Sequence, residues 1–305
     1  MVERTALLSL FPPRERSDPR PEVLERVAIE GGTREFVEYA VAPGERVRGY
    51  VLIPAGRKRR RPGVLASHQH AGEYWLGKSE PAGLSANRMY HYGVDLCREG
   101  YVVICPDHLG FEERRPREID RRGGGVPEGR EYESLLFADC LLQGSSLTAK
   151  YLFDMCQALD VLVQYEQVDA ERLGVIGHSL GGQTALWHAF YDERVKVAFA
   201  SCGFSTLAAV QRDRIPHNFA SYLPGLRTMG DIDDVVAAIA PRAFGMSHGT
   251  GDPIFPMDGV RQVQARARLV FPKSRFLSIV FQGPHCLPDA VKRRAYAFLR
   301  RHLGR

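Results

Sequence analysis

Residues 174–182, with the sequence GVIGHSLGG, constrain the fold of this chain more than any other stretch. Within them, residues 177–181 match the Gly-x-Ser-x-Gly pattern, in which a strand turns abruptly into a helix and a serine stands at the bend. A short apolar run precedes the pattern, and proline-free helix formers follow it up to Tyr191. The stretch therefore predicts a buried strand, a sharp turn at Ser179 and a helix, in that order.

The glycines of this pattern have a steric explanation, because a strand and a helix that cross closely leave no room for a side chain. The pattern alone is equally compatible with a tight turn that carries an idle serine. A catalytic interpretation therefore depends on partner residues elsewhere in the chain.

The composition is that of a globular protein with a sizeable core, since 44% of the 305 residues are hydrophobic and 25% are charged. No apolar run reaches the length of a membrane span. A short apolar patch at residues 6–11 is followed by charged residues without a small-residue cleavage site. We therefore expect a cytoplasmic protein without a membrane partner.

The basic residues do not indicate a nucleic-acid partner. The formal net charge is +5, and arginines cluster at residues 57–61 and 112–122, but no nucleic-acid-binding motif accompanies them. Solvated surface segments explain both clusters better. The six cysteines lack paired spacing, which favours buried free thiols over disulfides or a zinc site: Cys97, Cys105, Cys140, Cys156, Cys202 and Cys286.

Hydrophobic patterning predicts one α/β domain with a mainly parallel central sheet and helices on both faces, because strands alternate with helices from residue 63 onward. Residues 1–35 are rich in proline and charge and are interpreted as an N-terminal extension with a short helix near residues 22–27. The domain would span residues 36–305. It would begin with two antiparallel strands and carry insertions near residues 111–145 and 203–230.

Other stretches are predicted as helices. Residues 84–98 place apolar side chains near helical spacing, and residues 146–166 carry an apolar helical stripe.

A serine nucleophile needs a base, and the base needs an orienting acid. In this kind of fold the order along the chain should be Ser, Asp or Glu, then His, each after a late strand. Asp252 follows a strand that ends near Ser247, and His285 follows a strand that ends at Phe281. Taken alone, Asp252 could be a turn residue and His285 a simple loop histidine. Their order favours a Ser179-His285-Asp252 triad.

The oxyanion that forms on the substrate carbonyl needs two N–H donors. The N–H of Leu180, directly after the nucleophile, would be one. The loop after the strand at residues 63–67 would supply the other, with the N–H of His70 as first choice and that of Gln69 as second. His68 and His70 could also be read as a metal pair, but no acidic or cysteine ligand stands at a suitable spacing.

Candidate walls of a substrate pocket are aromatic and histidine residues near these loops, although surface-loop packing explains them about equally well: Tyr74, Trp75, His178, Phe204, His217 and Tyr222.

Several features together resemble the α/β-hydrolase superfamily: the Gly-x-Ser-x-Gly stretch at residues 177–181, here called the elbow, Asp252, His285, DHLGF at residues 107–111 and PRAF at residues 241–244. The resemblance is greatest to its dienelactone hydrolase-like and acetyl xylan esterase-like branch. It implies that Ser179, Asp252 and His285 act as nucleophile, acid and base without a cofactor. Two departures stand out: Gln69 occupies a position where relatives often have glycine, and the nucleophile is serine, whereas dienelactone hydrolase itself uses cysteine.

These observations lead to the hypothesis of a serine hydrolase, most simply a carboxylic ester hydrolase that acts on a small-molecule ester through an acyl-enzyme. The alternatives are a peptidase related to prolyl oligopeptidases and a non-catalytic binding protein on the same scaffold.

Overall fold

The computed structural model describes residues 2–14, 17–56, 60–116 and 126–304. Residues 57–59 of the first arginine cluster, and residues 117–125 of the predicted insertion and second cluster, lie outside the described residues. Within the described part, nine strands form one sheet: β1 (Glu22–Ile29), β2 (Gly32–Ala42), β3 (Glu45–Pro54), β4 (Arg61–Ser67), β5 (Val102–Pro106), β6 (Val168–His178), β7 (Val195–Ser201), β8 (Ala243–Gly249) and β9 (Phe276–Phe281).

The α-helices of the described chain fall mostly between these strands: α1 (Arg4–Leu8), α2 (Tyr92–Arg98), α3 (Gly129–Leu142), α4 (Leu147–Leu162), α5 (Leu180–Tyr191), α6 (Leu207–Arg212), α7 (Leu226–Met229), α8 (Ile232–Ala237), α9 (Met257–Val270) and α10 (Asp289–Leu303). None of the described helices is both long and apolar enough to cross a membrane.

The strands are ordered β1-β2-β3-β5-β4-β6-β7-β8-β9 across the sheet. The pairs from β1 to β5 are antiparallel, and all pairs from β5 to β9 are parallel. The carboxyl ends of parallel strands meet at one edge of a sheet, where ligands bind in open α/β folds. The loops after β4, β6, β8 and β9 therefore share that edge, and these loops carry the predicted site residues.

Helices cover both faces of the sheet, which confirms the predicted α/β class. One hydrophobic core includes Leu152 of α4, Leu186 of α5 and Val263 of α9. A second core, on the other face, includes Leu96 of α2 and Leu299 of α10. A sheet covered on both sides explains why β4 is buried along its whole length.

The helix predicted near residues 22–27 is wrong, because these residues form β1, which pairs antiparallel with β2. Most of β1 is exposed at the edge of the sheet, so its side chains show no clear apolar alternation. The predicted boundary at residue 35 falls inside β2. The two antiparallel strands predicted after residue 36 are confirmed as β2 and β3.

Two predictions along the middle of the chain need correction. The helix predicted at residues 84–98 is confined to α2 at its C-terminal end, preceded by a single 3-10 turn at Arg88–Tyr90. The predicted insertion at residues 111–145 contains the regular helix α3 rather than only irregular chain. The helix predicted at residues 146–166 is confirmed as α4, and the side chain of Ser146 caps it by accepting from the Ala149 N–H at 3.0 Å.

Candidate active site

Ser179 stands alone between a strand and a helix, as the sequence pattern predicts. Strand β6 ends at His178, and helix α5 begins at Leu180. The backbone of Ser179 has φ 56° and ψ −117°, a conformation that a non-glycine residue adopts only under strain, at a cost of about 1–3 kcal/mol. Its N–H donates to the Ser201 carbonyl at 2.8 Å, which ties the bend to β7.

The glycines around Ser179 are required by contacts between backbone segments. A Cβ on Gly177 would lie 2.3 Å from the Gly181 carbonyl carbon, and one on Gly181 would lie 2.1 Å from the Ser67 oxygen. A Cβ on Gly182 would lie 2.7 Å from the Ser201 oxygen. Real Cβ atoms do not approach backbone this closely, so the helix could not pack here with any larger residue.

Asp252 and His285 form a hydrogen-bonded pair at the same edge of the sheet. His285 Nδ1 lies 2.7 Å from Asp252 Oδ2. The Asp252 side chain is fully buried, whereas 19% of the His285 side chain is exposed. The other Asp252 oxygen accepts from the N–H groups of Ile254 at 3.0 Å and Phe255 at 3.3 Å. The carboxylate is thereby held with one oxygen on the imidazole.

The surroundings of Asp252 favour its ionised form. Burial by itself raises the pKa of this carboxyl, but the hydrogen bond and the charge of His285, together with the Ile254 N–H, bring the pKa below its ordinary value. An ionised Asp252 accepts from the Nδ1–H of His285. In the neutral imidazole, Nε2 is then the nitrogen that can accept a proton.

Ser179 and His285 line one cavity of about 690 Å³. Its other walls include the loop after β4, from Gln69 to Tyr74, and the segment from Pro216 to Asn218. The structure thus brings the predicted nucleophile and base to a single concave site. A cavity of this size is in the range that holds small organic molecules.

The two predicted choices for the second oxyanion donor differ in their contacts. The side-chain amide of Gln69 donates to Glu80 at 2.9 Å, and the Gln69 backbone N–H also acts to lower the pKa of this carboxyl. Within the described chain, the backbone N–H of His70 has no protein acceptor, and neither has that of Leu180. These contacts favour His70 over Gln69 as the partner of Leu180.

The ring nitrogens of His68 and His70 all have protein partners. His68 Nδ1 lies 2.7 Å from the Gln69 carbonyl, and its Nε2 accepts from the His108 N–H at 3.1 Å. His70 Nδ1 accepts from the Gly72 N–H at 3.0 Å, and its Nε2 lies 3.2 Å from Glu133. These bonds leave no ring nitrogen of the pair for a metal ion.

Other groups of potential ligands bring three side-chain atoms within 4.8 Å of one another in the described chain: Cys202 with Asp252 and His285, Cys156 with His188 and Asp192, and Asp107 with Glu112 and Glu113. Protein cations already occupy two of these positions. The ammonium of Lys78 contacts all three carboxylates of the last group. Asp192 pairs with Arg194 at 2.6 Å. All six cysteines are free thiols.

The predicted pocket residues divide into two groups. Tyr74 and His217 line the cavity. The prediction is wrong for the other four, which do not line this cavity. Trp75 is 62% exposed and lines a neighbouring cavity that shares Tyr74. The buried His178 ring lies behind His285, with ring centroids 4.8 Å apart.

The remaining two predicted pocket residues serve packing. Phe204 is buried, and its carbonyl accepts from His248 Nε2 at 2.7 Å. Tyr222 uses its hydroxyl to accept from the His217 N–H at 3.1 Å. Both therefore support the cavity wall from outside. The same bond holds His248, a second histidine close to the loop that carries Asp252, away from the cavity.

Two other acids, just before and within α8, cap that helix. Asp231 is the N-cap of α8, and Asp234 completes a capping box with it. The acid that pairs with His285 is therefore Asp252 alone among these candidates.

Sequence reasoning missed two buried carboxylates next to the loop after β4. Glu80 holds Gln69, as described above, and burial raises its pKa to about 7. Glu133 of α3 contacts His70 and is 2% exposed. Neither stands in a motif; the only signal for Glu133 was its position in the predicted insertion at residues 111–145.

The sequence of this chain is similar to a known family and to a bacterial protein named as a hydrolase. Residues 146–241 match the prolyl oligopeptidase family. A Bacillus subtilis (strain 168) protein named "Putative hydrolase YtaP" is 30% identical over 262 residues, which are 83% of this chain and 82% of the relative.

Solved structures share the fold. An acetyl xylan esterase from Paenibacillus sp. R4 matches with a TM-score of 0.69 and 20% identity, over 98% of this chain and 92% of its own. A glucuronoyl esterase from Solibacter usitatus matches with a TM-score of 0.68 and 17% identity, over 99% of this chain and 92% of its own.

Proposed function

This chain belongs to the α/β-hydrolase superfamily and is a serine hydrolase, and from this premise we propose that it hydrolyses carboxylic esters of small molecules through an acyl-enzyme. One observation carries the proposal. Ser179, at a strained bend, opens into the same cavity as His285, whose Nδ1 is held by the buried Asp252 at 2.7 Å. Strain of this kind persists where function requires it.

In the proposed reaction, Ser179 Oγ attacks the ester carbonyl while His285 Nε2 takes its proton. Asp252 keeps the imidazole in the tautomer with Nδ1–H and stabilises the imidazolium that forms. The imidazolium then protonates the departing alcohol, and an acyl group remains on Ser179. A water molecule, activated by the same imidazole, releases the acid and restores the serine.

The N–H groups of Leu180 and His70 would stabilise the oxyanion in both steps. Leu180 is the first residue of α5, so its N–H also carries the positive end of the helix dipole. Loss of one such donor typically costs about 3–4 kcal/mol in transition-state stabilisation. The His70 N–H is the better second donor because Gln69 is held at Glu80 by its side-chain amide.

Hydrolysis of short peptides is the second candidate, because residues 146–241 match the prolyl oligopeptidase family. An ester is favoured because the two solved proteins described above, which have the same fold, are named as esterases. A non-catalytic binding protein is disfavoured, since it would be expected to have lost a member of the triad.

A panel of p-nitrophenyl esters with increasing acyl length, beside an aminoacyl p-nitroanilide, tests the proposal. We expect turnover of at least one ester that is abolished by Ser179→Ala. Turnover of the anilide with greater kcat/KM than every ester would favour the peptidase. No turnover of any ester or anilide by a folded enzyme would contradict the proposal.

A further inference from the structure

We propose that Glu133 is a positioning residue that holds the second oxyanion donor, the N–H of His70, at the mouth of the active-site cavity. The inference rests on the proposed function, because it assigns a role to a contact of the same site. It concerns a carboxylate that belongs to no recognised motif and lies 63 residues from His70 in the chain.

Glu133 is the only buried residue of α3, all of whose residues are described. One of its carboxylate oxygens, Oε2, accepts from the Tyr74 hydroxyl at 2.8 Å and lies 3.2 Å from His70 Nε2. A carboxylate that is 2% exposed has lost its hydrogen bonds to water, so the bonds from these donors must replace them. The contact between Glu133 and the loop after β4 is therefore specific rather than incidental.

The bonds of His70 define its proton arrangement. Its Nδ1 accepts from the Gly72 N–H at 3.0 Å, so a neutral ring carries its proton on Nε2 and donates it to Glu133. The His70 carbonyl accepts from the Glu73 N–H at 3.0 Å. The ring also packs edge-on against Phe111, with centroids 5.2 Å apart. The side chain of His70 is thus fixed at both nitrogens, and its backbone N–H is oriented with it.

Glu133 also joins this loop to a second segment that lines the cavity. Its Oε1 accepts from the Phe219 N–H at 2.9 Å. Pro216 to Asn218, immediately before Phe219, line the same cavity as the loop after β4. The guanidinium of Arg130, one turn before Glu133, donates to the His217 carbonyl at 3.1 Å. Within helix α3, the buried carboxylate of Glu133 therefore contacts both lining segments, and Arg130 adds a second bond to one of them.

This arrangement predicts a kinetic effect rather than a binding effect. An oxyanion forms only in the transition state, so a misplaced donor lowers kcat more than it raises KM. A misplacement of about 1 Å at a catalytic group can cost about 100-fold in rate. Glu133→Gln keeps the size of the side chain but removes the charge and one acceptor, so part of the network must be lost.

The test compares Glu133→Gln with Glu131→Gln, an exposed acid on the same helix whose side chain makes no described contact. With the best ester substrate, we expect kcat of Glu133→Gln to fall by about 10- to 100-fold while KM changes by less than about threefold. Glu131→Gln should match wild type. Thermal unfolding of each variant verifies that it is folded. Glu133→Asp keeps the charge and should recover part of the lost kcat. If Glu133→Gln does not fold, Glu133→Asp takes its place in the comparison with wild type.

A double-mutant cycle with His70→Ala identifies the route of the effect. If Glu133 acts through the His70 side chain, Glu133→Gln should change kcat by less than about twofold in the His70→Ala background. An equal loss in both backgrounds would overturn the inference, as would a kcat within twofold of wild type for Glu133→Gln. An inactive wild-type enzyme would instead refute the proposed function itself.

Discussion

The elbow and the loop after β4 both shape the active site, but different forces hold them. The elbow is held by close contact between backbone segments, in which a Cβ on Gly181 would meet a carbonyl oxygen at 2.1 Å. The loop is held by the side chains of two buried carboxylates: Glu80, 11 residues along the chain from Gln69, and Glu133, 63 residues from His70. The first kind of constraint leaves a mark in the local sequence, because only glycine satisfies it. The second leaves none.

The comparison implies that the elbow tolerates almost no substitution. Substitutions of the carboxylates that hold the loop should have smaller effects, and the effect of one of them should depend on pH. Hydrogen bonds to a buried carboxylate each contribute about 1.5–3 kcal/mol, and their loss can be partly compensated by rearrangement. A backbone clash cannot be relieved without moving a strand or a helix.

The largest expected effect is that of Ser179→Ala, which removes the nucleophile from the bend. If Ser179, His285 and Asp252 act as a unit, kcat should fall by about 10⁶-fold, as in other serine triads. Steady-state kinetics with the best ester measures the loss. A turnover within tenfold of wild type would exclude Ser179 as the nucleophile.

Asp252→Asn should have the next largest effect. It keeps the shape of the side chain but offers His285 an amide, which favours the wrong imidazole tautomer, so kcat should fall by about 10⁴-fold. Asp289→Asn, at the exposed start of α10, is the matched control and should leave kcat unchanged. A loss of less than tenfold for Asp252→Asn would mean that the His285 contact is structural.

Gly181→Ala tests the steric constraint on the elbow. The new methyl would overlap the Ser67 carbonyl, and we expect a loss of about 3 kcal/mol or more in unfolding free energy, or no folded protein. Gly44→Ala, in a turn with φ 76° and open space around its Cβ, should cost only about 1–2 kcal/mol. Chemical denaturation of both variants measures the difference. Equal losses would show that the crossing of β4 and α5 is adaptable.

Glu80→Gln should have the smallest effect, and it should depend on pH. The pKa of Glu80 rises from 4.5 to about 7 on burial, so its contribution to stability is present at low pH and is lost as pH rises through about 7. The neutral glutamine avoids that loss. The gain in melting temperature over wild type should therefore grow between about pH 5 and about pH 8. If the difference in melting temperature stayed constant or shrank as pH rises, Glu80 would not carry a buried charge with a raised pKa.

The difference between the two regions also explains what the sequence could reveal. The Gly-x-Ser-x-Gly pattern predicts the strand, bend and helix that the structure contains, and the strand predicted to end at Phe281 is β9. The order of Ser, Asp and His along the chain predicted the contact between His285 and Asp252. These features depend on local sterics or on strand order.

Helix α3 and strand β1 were beyond such reasoning. An acid is the only buried residue of α3, so no apolar stripe marks it. The exposed strand β1 acquires its conformation from pairing with β2 rather than from its own pattern. Glu80 and Glu133 depend on partners that the fold alone brings within reach.

The most direct test of the central claim is to locate the covalent adduct of a fluorophosphonate by peptide mass spectrometry. The reagent traps a serine that is activated by a neighbouring base. We expect a single modified peptide with the adduct on Ser179, and strongly reduced labelling in His285→Ala. An adduct at another residue, or labelling that is unchanged in Ser179→Ala, would contradict the account.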